Sequence, residues 1–136
     1  MNTVKLISTI LSPYPETQAI YLFGSYLRGD QRSDSDLDIA VLLPPVQAKR
    51  VGSFAMSDLV TRLWEIARIE IDLVNLRLTS TVFQFEVMTT GKRIYVGDKA
   101  ASEEFEALTL SFYQKLNEER APILEAFQIS GRAYPV

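Results

Sequence analysis

The segment Asp36-Leu37-Asp38-Ile39-Ala40-Val41-Leu42, closed by Pro44 and Pro45, constrains this chain more than any other part of it. A short apolar run ended by prolines reads as a strand. Successive side chains of a strand point to opposite faces, so Leu37, Ile39 and Val41 point one way and Asp36 and Asp38 the other. The apolar residues that follow the aspartates mark the strand as packed. Upstream, Ala19 to Phe23 is a compact run of strand formers ended by Gly24, and the polar stretch from Arg28 to Ser35 connects the two. Downstream, Ile69, Ile71, Leu73 and Asn75 alternate with Glu70, Asp72 and Val74, which gives a third strand of period two.

Helical spacing fills the rest. Val4, Ile7, Ile10 and Leu11 predict a short opening helix that Pro13 and Pro15 stop. Met56, Val60, Leu63 and Ala67, with Trp64 beside them, predict a helix that starts somewhere in 46–53 and runs to about Ala67. Ser80 is a natural N-cap for a helix carrying Val82, Phe83, Phe85, Val87 and Met88, and Gly91 stands where a C′ glycine would end it. Ile94-Tyr95-Val96 is a short extended piece. From Asp98 the chain turns helical, with Phe105, Leu108, Phe112 and Leu116 on one face; that face reads as core, with a partner-docking surface as its rival. Pro122 is expected to kink or restart this helix and Gly131 to end it. The expectation is an α+β fold, a small mixed β-sheet packed with helices. With 136 residues, 1–136 reads as a single domain, its core about 17–96 and a C-terminal helical segment about 98–130.

Composition removes many chemistries. Cysteine and histidine are both absent, which excludes disulfides, thiolate and imidazole catalysis, and zinc sites built on those ligands. Any metal must be held by oxygen, and a hard cation such as magnesium is what carboxylates suit. The net charge of −3 supplies no basic field, so stable nucleic-acid binding is not expected. The longest uncharged stretch, Thr17 to Leu27, falls well short of the roughly 20 residues that span a bilayer, and Leu6 to Leu11 is too short for a secretory core. The reading is a cytoplasmic protein with no membrane role.

The chemistry-bearing pattern is Gly24-Ser25, ten residues, then Asp36-Leu37-Asp38. Glycine lets backbone approach a phosphate, and the amides of the following turn plus the Ser25 hydroxyl can donate to its oxygens. Two residues along a strand span roughly 6.5 Å, so carboxylates on one face can converge on a pair of metals about 3.5–4 Å apart. Asp72 in the third strand is the expected third carboxylate, with Glu70 on the same face as runner-up and a salt bridge of Asp72 to Arg68 or Arg77 as the plain structural alternative. Chance alone would place G-S-x10-D-x-D in about one chain in a thousand of this composition, so the match carries weight. Gly24-x4-Gly29 is half of a P-loop, but Asp30 and Gln31 stand where that motif needs Lys and Ser or Thr. Arg28 could clamp phosphate or pair with a nearby aspartate.

Gly24-Ser25-Tyr26-Leu27-Arg28-Gly29 with Ser35-Asp36-Leu37-Asp38 resembles the nucleotidyltransferase superfamily with a DNA polymerase β-like core, and within it the minimal nucleotidyltransferase (MNT-domain) antitoxins paired with HEPT-domain toxins. The resemblance covers about Thr17 to Tyr95. It implies a nucleotidyltransferase core with a C-terminal helical tail. Gly24, Ser25 and Arg28 would bind the nucleotide, and Asp36, Asp38 and Asp72 would hold two magnesium ions. It further implies that ATP is the donor and that AMP is placed on a tyrosine of the cognate HEPT toxin, an RNase, in a hetero-oligomer with it. Two other readings stand beside this: a small-molecule nucleotidyltransferase of the aminoglycoside type, and an antitoxin acting by binding alone.

Overall fold

The computed structural model describes residues 2–24, 36–54 and 57–130, with side chains to residue 120. The antiparallel pair β1 (Ala19–Phe23) and β2 (Leu37–Leu42) runs in register from Ala19 opposite Leu42 to Phe23 opposite Asp38. On its far side β2 takes β3 (Ile71–Asn75) in parallel, and β4 (Lys92–Val96) lies antiparallel against β1, giving the mixed order β3-β2-β1-β4. Parallel neighbours need a crossover. Here α2 (Pro45–Val51) and α3 (Asp58–Ala67) supply it.

Strand alternation divides the interior into two layers. Ile20, Leu22, Leu37, Ile39, Val41, Ile71 and Leu73 pack against Leu6 and Ile10 of α1 (Thr3–Leu11) and Leu59 and Leu63 of α3. Ala19, Tyr21, Ala40 and Leu42 face the other way, toward Val87 of α4 (Thr81–Thr90) and Phe105 of α5 (Lys99–Ser130). The expected mixed sheet with helices and a long C-terminal helix is what forms. Among the described residues no helix is long and apolar enough to cross a membrane.

Several local expectations need correction. The helix expected from near 46–53 to Ala67 is two helices: α2 ends at Gly52, whose φ of 67° a side chain would resist, and α3 begins at Asp58. The buried stripe of α1 is Leu6 and Ile10, while Val4 is 76% exposed. Ser80 does cap α4, accepting from the Phe83 amide at 3.2 Å. Gly91, however, is extended, with φ −83° and ψ 175°. It is glycine for space, because a Cβ there would meet the Val87 carbonyl oxygen at 2.4 Å. α5 runs unbroken through Pro122, whose missing donor weakens the helix without ending it; Gly131 lies outside the described residues. Among the described side chains of α5 the buried ones are Ser102, Phe105 and Thr109, whereas Leu108 and Phe112 of the expected core stripe stand about half exposed. Small polar residues let the helix approach closely, a signal that apolar periodicity does not carry.

Candidate active site

Parallel pairing of β2 with β3 puts Asp38 directly opposite Asp72. Asp36 precedes β2, and the Leu37 amide donates to the Glu70 carbonyl at 2.9 Å, which sets Asp36 alongside Glu70. The alternation read from sequence holds: Leu37, Ile71 and Leu73 are buried in the layer with α1 and α3, and the carboxylates project on the opposite face. Asp36, Glu70 and Asp72 are exposed, and Asp38 is half-buried. The negative charge of Asp36 and a hydrogen bond shared with it, assisted by desolvation and by Asp72, hold the Glu70 carboxyl above its usual range. These groups therefore form one electronegative rim, to which both candidates for a third carboxylate belong. Among the described residues no three acidic side chains are gathered tightly round a point that would hold an ion.

Gly24, at the end of β1, has φ of 89°, and a Cβ there would lie 1.8 Å from Asp38 Oδ2. Backbone thus lies against a carboxylate where any other residue would displace it. Ser25 and Arg28, the other expected nucleotide-binding residues, fall outside the described residues, as do Asp30 and Asp34.

The salt-bridge alternative for Asp72 is not drawn. Ion pairs among the described residues are Arg93 with Glu106 at 2.9 Å and Lys99 with Glu103 at 3.9 Å. Arg77 is spent elsewhere, donating through Nε to the Leu43 carbonyl and through Nη2 to Gln18 Oε1 at 2.6 Å. Three supporting contacts were not legible in the sequence. The Trp64 indole donates to the Ile71 carbonyl at 3.0 Å, tying α3 to β3 beside Asp72. The Tyr21 hydroxyl donates to Glu106 Oε2 at 3.0 Å, and Arg93 donates to the same oxygen at 2.9 Å. Burial, reinforced by the Glu106 charge, pushes the Tyr21 phenol up to about 12.

The family model for polymerase beta nucleotidyltransferases matches residues 5–100, a span that takes in the glycine-ended strand, the Asp-x-Asp strand and the acidic third strand parallel to it. The chain belongs to this family. As a nucleotidyltransferase it is 38% identical, over 92% of its length and 86% of the relative's, to the protein adenylyltransferase MntA of Shewanella oneidensis. A crystal structure of a toxin–antitoxin complex with AMP-PNP contains a chain similar to it at 36% identity and TM-score 0.72, covering 94% of this chain and 99% of that one. A tri-AMPylated Shewanella oneidensis HEPN toxin in complex with its MNT antitoxin gives 33% identity and TM-score 0.64, covering 92% and 94% of the two chains.

Proposed function

We propose that this nucleotidyltransferase is an antitoxin that moves AMP from ATP to a tyrosine of a cognate HEPN-type RNase toxin, with magnesium as its metal. The observation that carries the reading is the pairing of Asp38 with Asp72 while the Gly24 backbone lies against the Asp38 carboxylate. The relatives supply the substrate class: an adenylyltransferase, a complex with an ATP analogue, and a toxin already carrying AMP.

The donor set consists of carboxylate oxygens, which suits a hard divalent ion, and the negative charges of Asp36 and Asp72 near Glu70 are what a cation would offset. Asp36, Asp38 and Asp72 would hold magnesium, which when bound neutralises the triphosphate and polarises it for attack. The chain's own part is placement. Gly24 and Ser25 would offer backbone and hydroxyl donors to the phosphates, and Arg28 a cation. The tyrosine oxygen would bond to the α-phosphorus as the bond to pyrophosphate breaks, with Asp72 either binding the metal that activates the hydroxyl or taking its proton. Such transfers depend on alignment and charge neutralisation, so a chain lacking His and Cys can perform them. The same reading makes 1–136 one domain, working in the cytoplasm as a hetero-oligomer with its toxin.

The test combines the protein, labelled ATP, magnesium and the product of the adjacent gene. An AMP mass increment on a tyrosine of that neighbour is expected. Asp36→Asn or Asp38→Asn should lower the rate by at least about a hundredfold, the scale of losing one preorganised electrostatic contact. Transfer that persists in both variants would end the proposal, and transfer to an aminoglycoside instead would redirect it.

A further inference from the structure

Away from the carboxylates, α5 and the segments around it enclose a pocket of about 610 Å³ whose lining includes Lys49, Arg77, Leu78, Phe105, Leu108 and Phe112. That volume lies within the range of roughly 300–1,000 Å³ typical of occupied binding sites. Its mouth is apolar and open to water: Leu78 is 52% exposed, Leu108 48% and Phe112 54%. Its floor is fixed, with the Arg77 guanidinium held by Gln18 and Leu43 and seated 5.3 Å from the centre of the Phe105 ring. The Lys49 ammonium makes no ion pair or hydrogen bond among the described residues. Glu104, also in the lining, offsets the Arg77 charge in the floor, which leaves exposed Lys49 as the unpaired cation beside an apolar mouth among the described residues; that combination suits a ligand carrying a carboxylate next to apolar side chains.

The pocket also has a definite relation to the acidic rim. Asp38, Ala40 and Leu42 share a face of β2, and Gln18, which lines the pocket, donates its amide to the Leu42 carbonyl at 2.7 Å. Four residues at ~3.3 Å each separate Asp38 from Leu42, about 13 Å. A macromolecule seated over the pocket therefore reaches the carboxylates on the same face, whereas a small acceptor would not touch both.

We propose that this pocket is the grip for the protein acceptor, taking a segment of it that presents an apolar side chain beside a carboxylate. The inference rests on the reading that the acceptor is a protein. Binding energy gathered there positions the tyrosine at the distant chemistry, a division of labour that remote contacts commonly perform.

The experiment uses the full chain and the purified product of the adjacent gene. Acceptor affinity is measured by calorimetry, and AMP incorporation is followed against acceptor concentration at saturating ATP and magnesium. Phe112→Asp and Lys49→Glu alter exposed side chains, and thermal melts check that each variant folds; if Phe112→Asp does not, Lys49→Glu carries the test. Each variant should weaken acceptor binding and raise its KM by about tenfold or more, the usual reach of an interface hot spot, with kcat at saturation and KM for ATP unchanged. Unchanged acceptor affinity in the folded variants overturns the proposal. So does a self-associated wild type that Phe112→Asp makes monomeric with no change in acceptor affinity, since a second copy would then own this face. A wild type that binds the acceptor without transferring AMP refutes the catalytic reading and leaves the grip to be judged on binding; transfer by wild type and variants with the same acceptor KM refutes the grip alone.

Discussion

Gly24 answers two demands with one residue. Its φ of 89° costs a side-chain-bearing residue about 1–2 kcal/mol, and a Cβ would fall within 1.8 Å of Asp38 Oδ2. The two costs land in different places: the first on stability, the second on the carboxylate. Gly24→Ala should therefore lower the melting temperature modestly while cutting AMP transfer far more steeply, by about a hundredfold if Asp38 is displaced. A melt and a rate measured on the same preparation separate these effects, and a proportional small loss in both would show that Asp38 had tolerated the methyl group. The glycine's place at a strand end was legible in the sequence. Its contact with Asp38 was not, because the contact is made across an antiparallel pair whose register only the fold defines.

Among elements, the strands were the most legible, since period-two alternation reports both the strand and its faces. Helix boundaries were less so. Gly52 splits one expected helix into two because left-handed backbone, not loss of the apolar pattern, ends α2. Buried Asn75 then fastens the break, its Nδ2 donating to the Ala48 and Gly52 carbonyls at 3.0 and 2.9 Å; in the sequence it was simply one more position of a strand. Tyr21, Arg93 and Glu106 likewise join β1, β4 and α5 through a single carboxylate oxygen. Because the folded chain holds the phenol proton up to about 12 against 10.0 ordinarily, the stability it contributes is intact below pH 10 and drains away as pH climbs from 10 toward 12. Tyr21→Phe should flatten that alkaline decline relative to wild type, as chemical unfolding across the interval would record. Parallel curves for the two proteins would show that the phenol is not the group responsible.

For the molecule as a whole, the acidic rim is a place where like charges are held together, and Glu70 displays the cost. A divalent ion bound there should stabilise the folded state by mass action, by about 2.7 kcal/mol at a hundred times its dissociation constant. Magnesium with ATP is accordingly expected to raise the melting temperature, a chelator to reverse the rise, and Asp38→Asn to abolish most of it. A shift of equal size in that variant would place the ion elsewhere. The aspartates, the glycine and the α+β plan could be read from the linear sequence because they rest on local spacing. The pocket over Arg77 could not, since α5 buries Ser102 and Thr109 beside Phe105 and leaves Leu108 and Phe112 of the apolar stripe exposed.

The parallel seam between β2 and β3 has a temporal side. Asp38 and Asp72 meet only after residues 43–70 have been synthesised and folded into the crossover between them. A chain that ends before residue 70 carries Asp36 and Asp38 without Glu70 and Asp72, so the acidic rim is complete only once β3 has paired with β2. The proposed site is therefore assembled by the folding of the crossover that brings β3 to β2, and not by either strand alone.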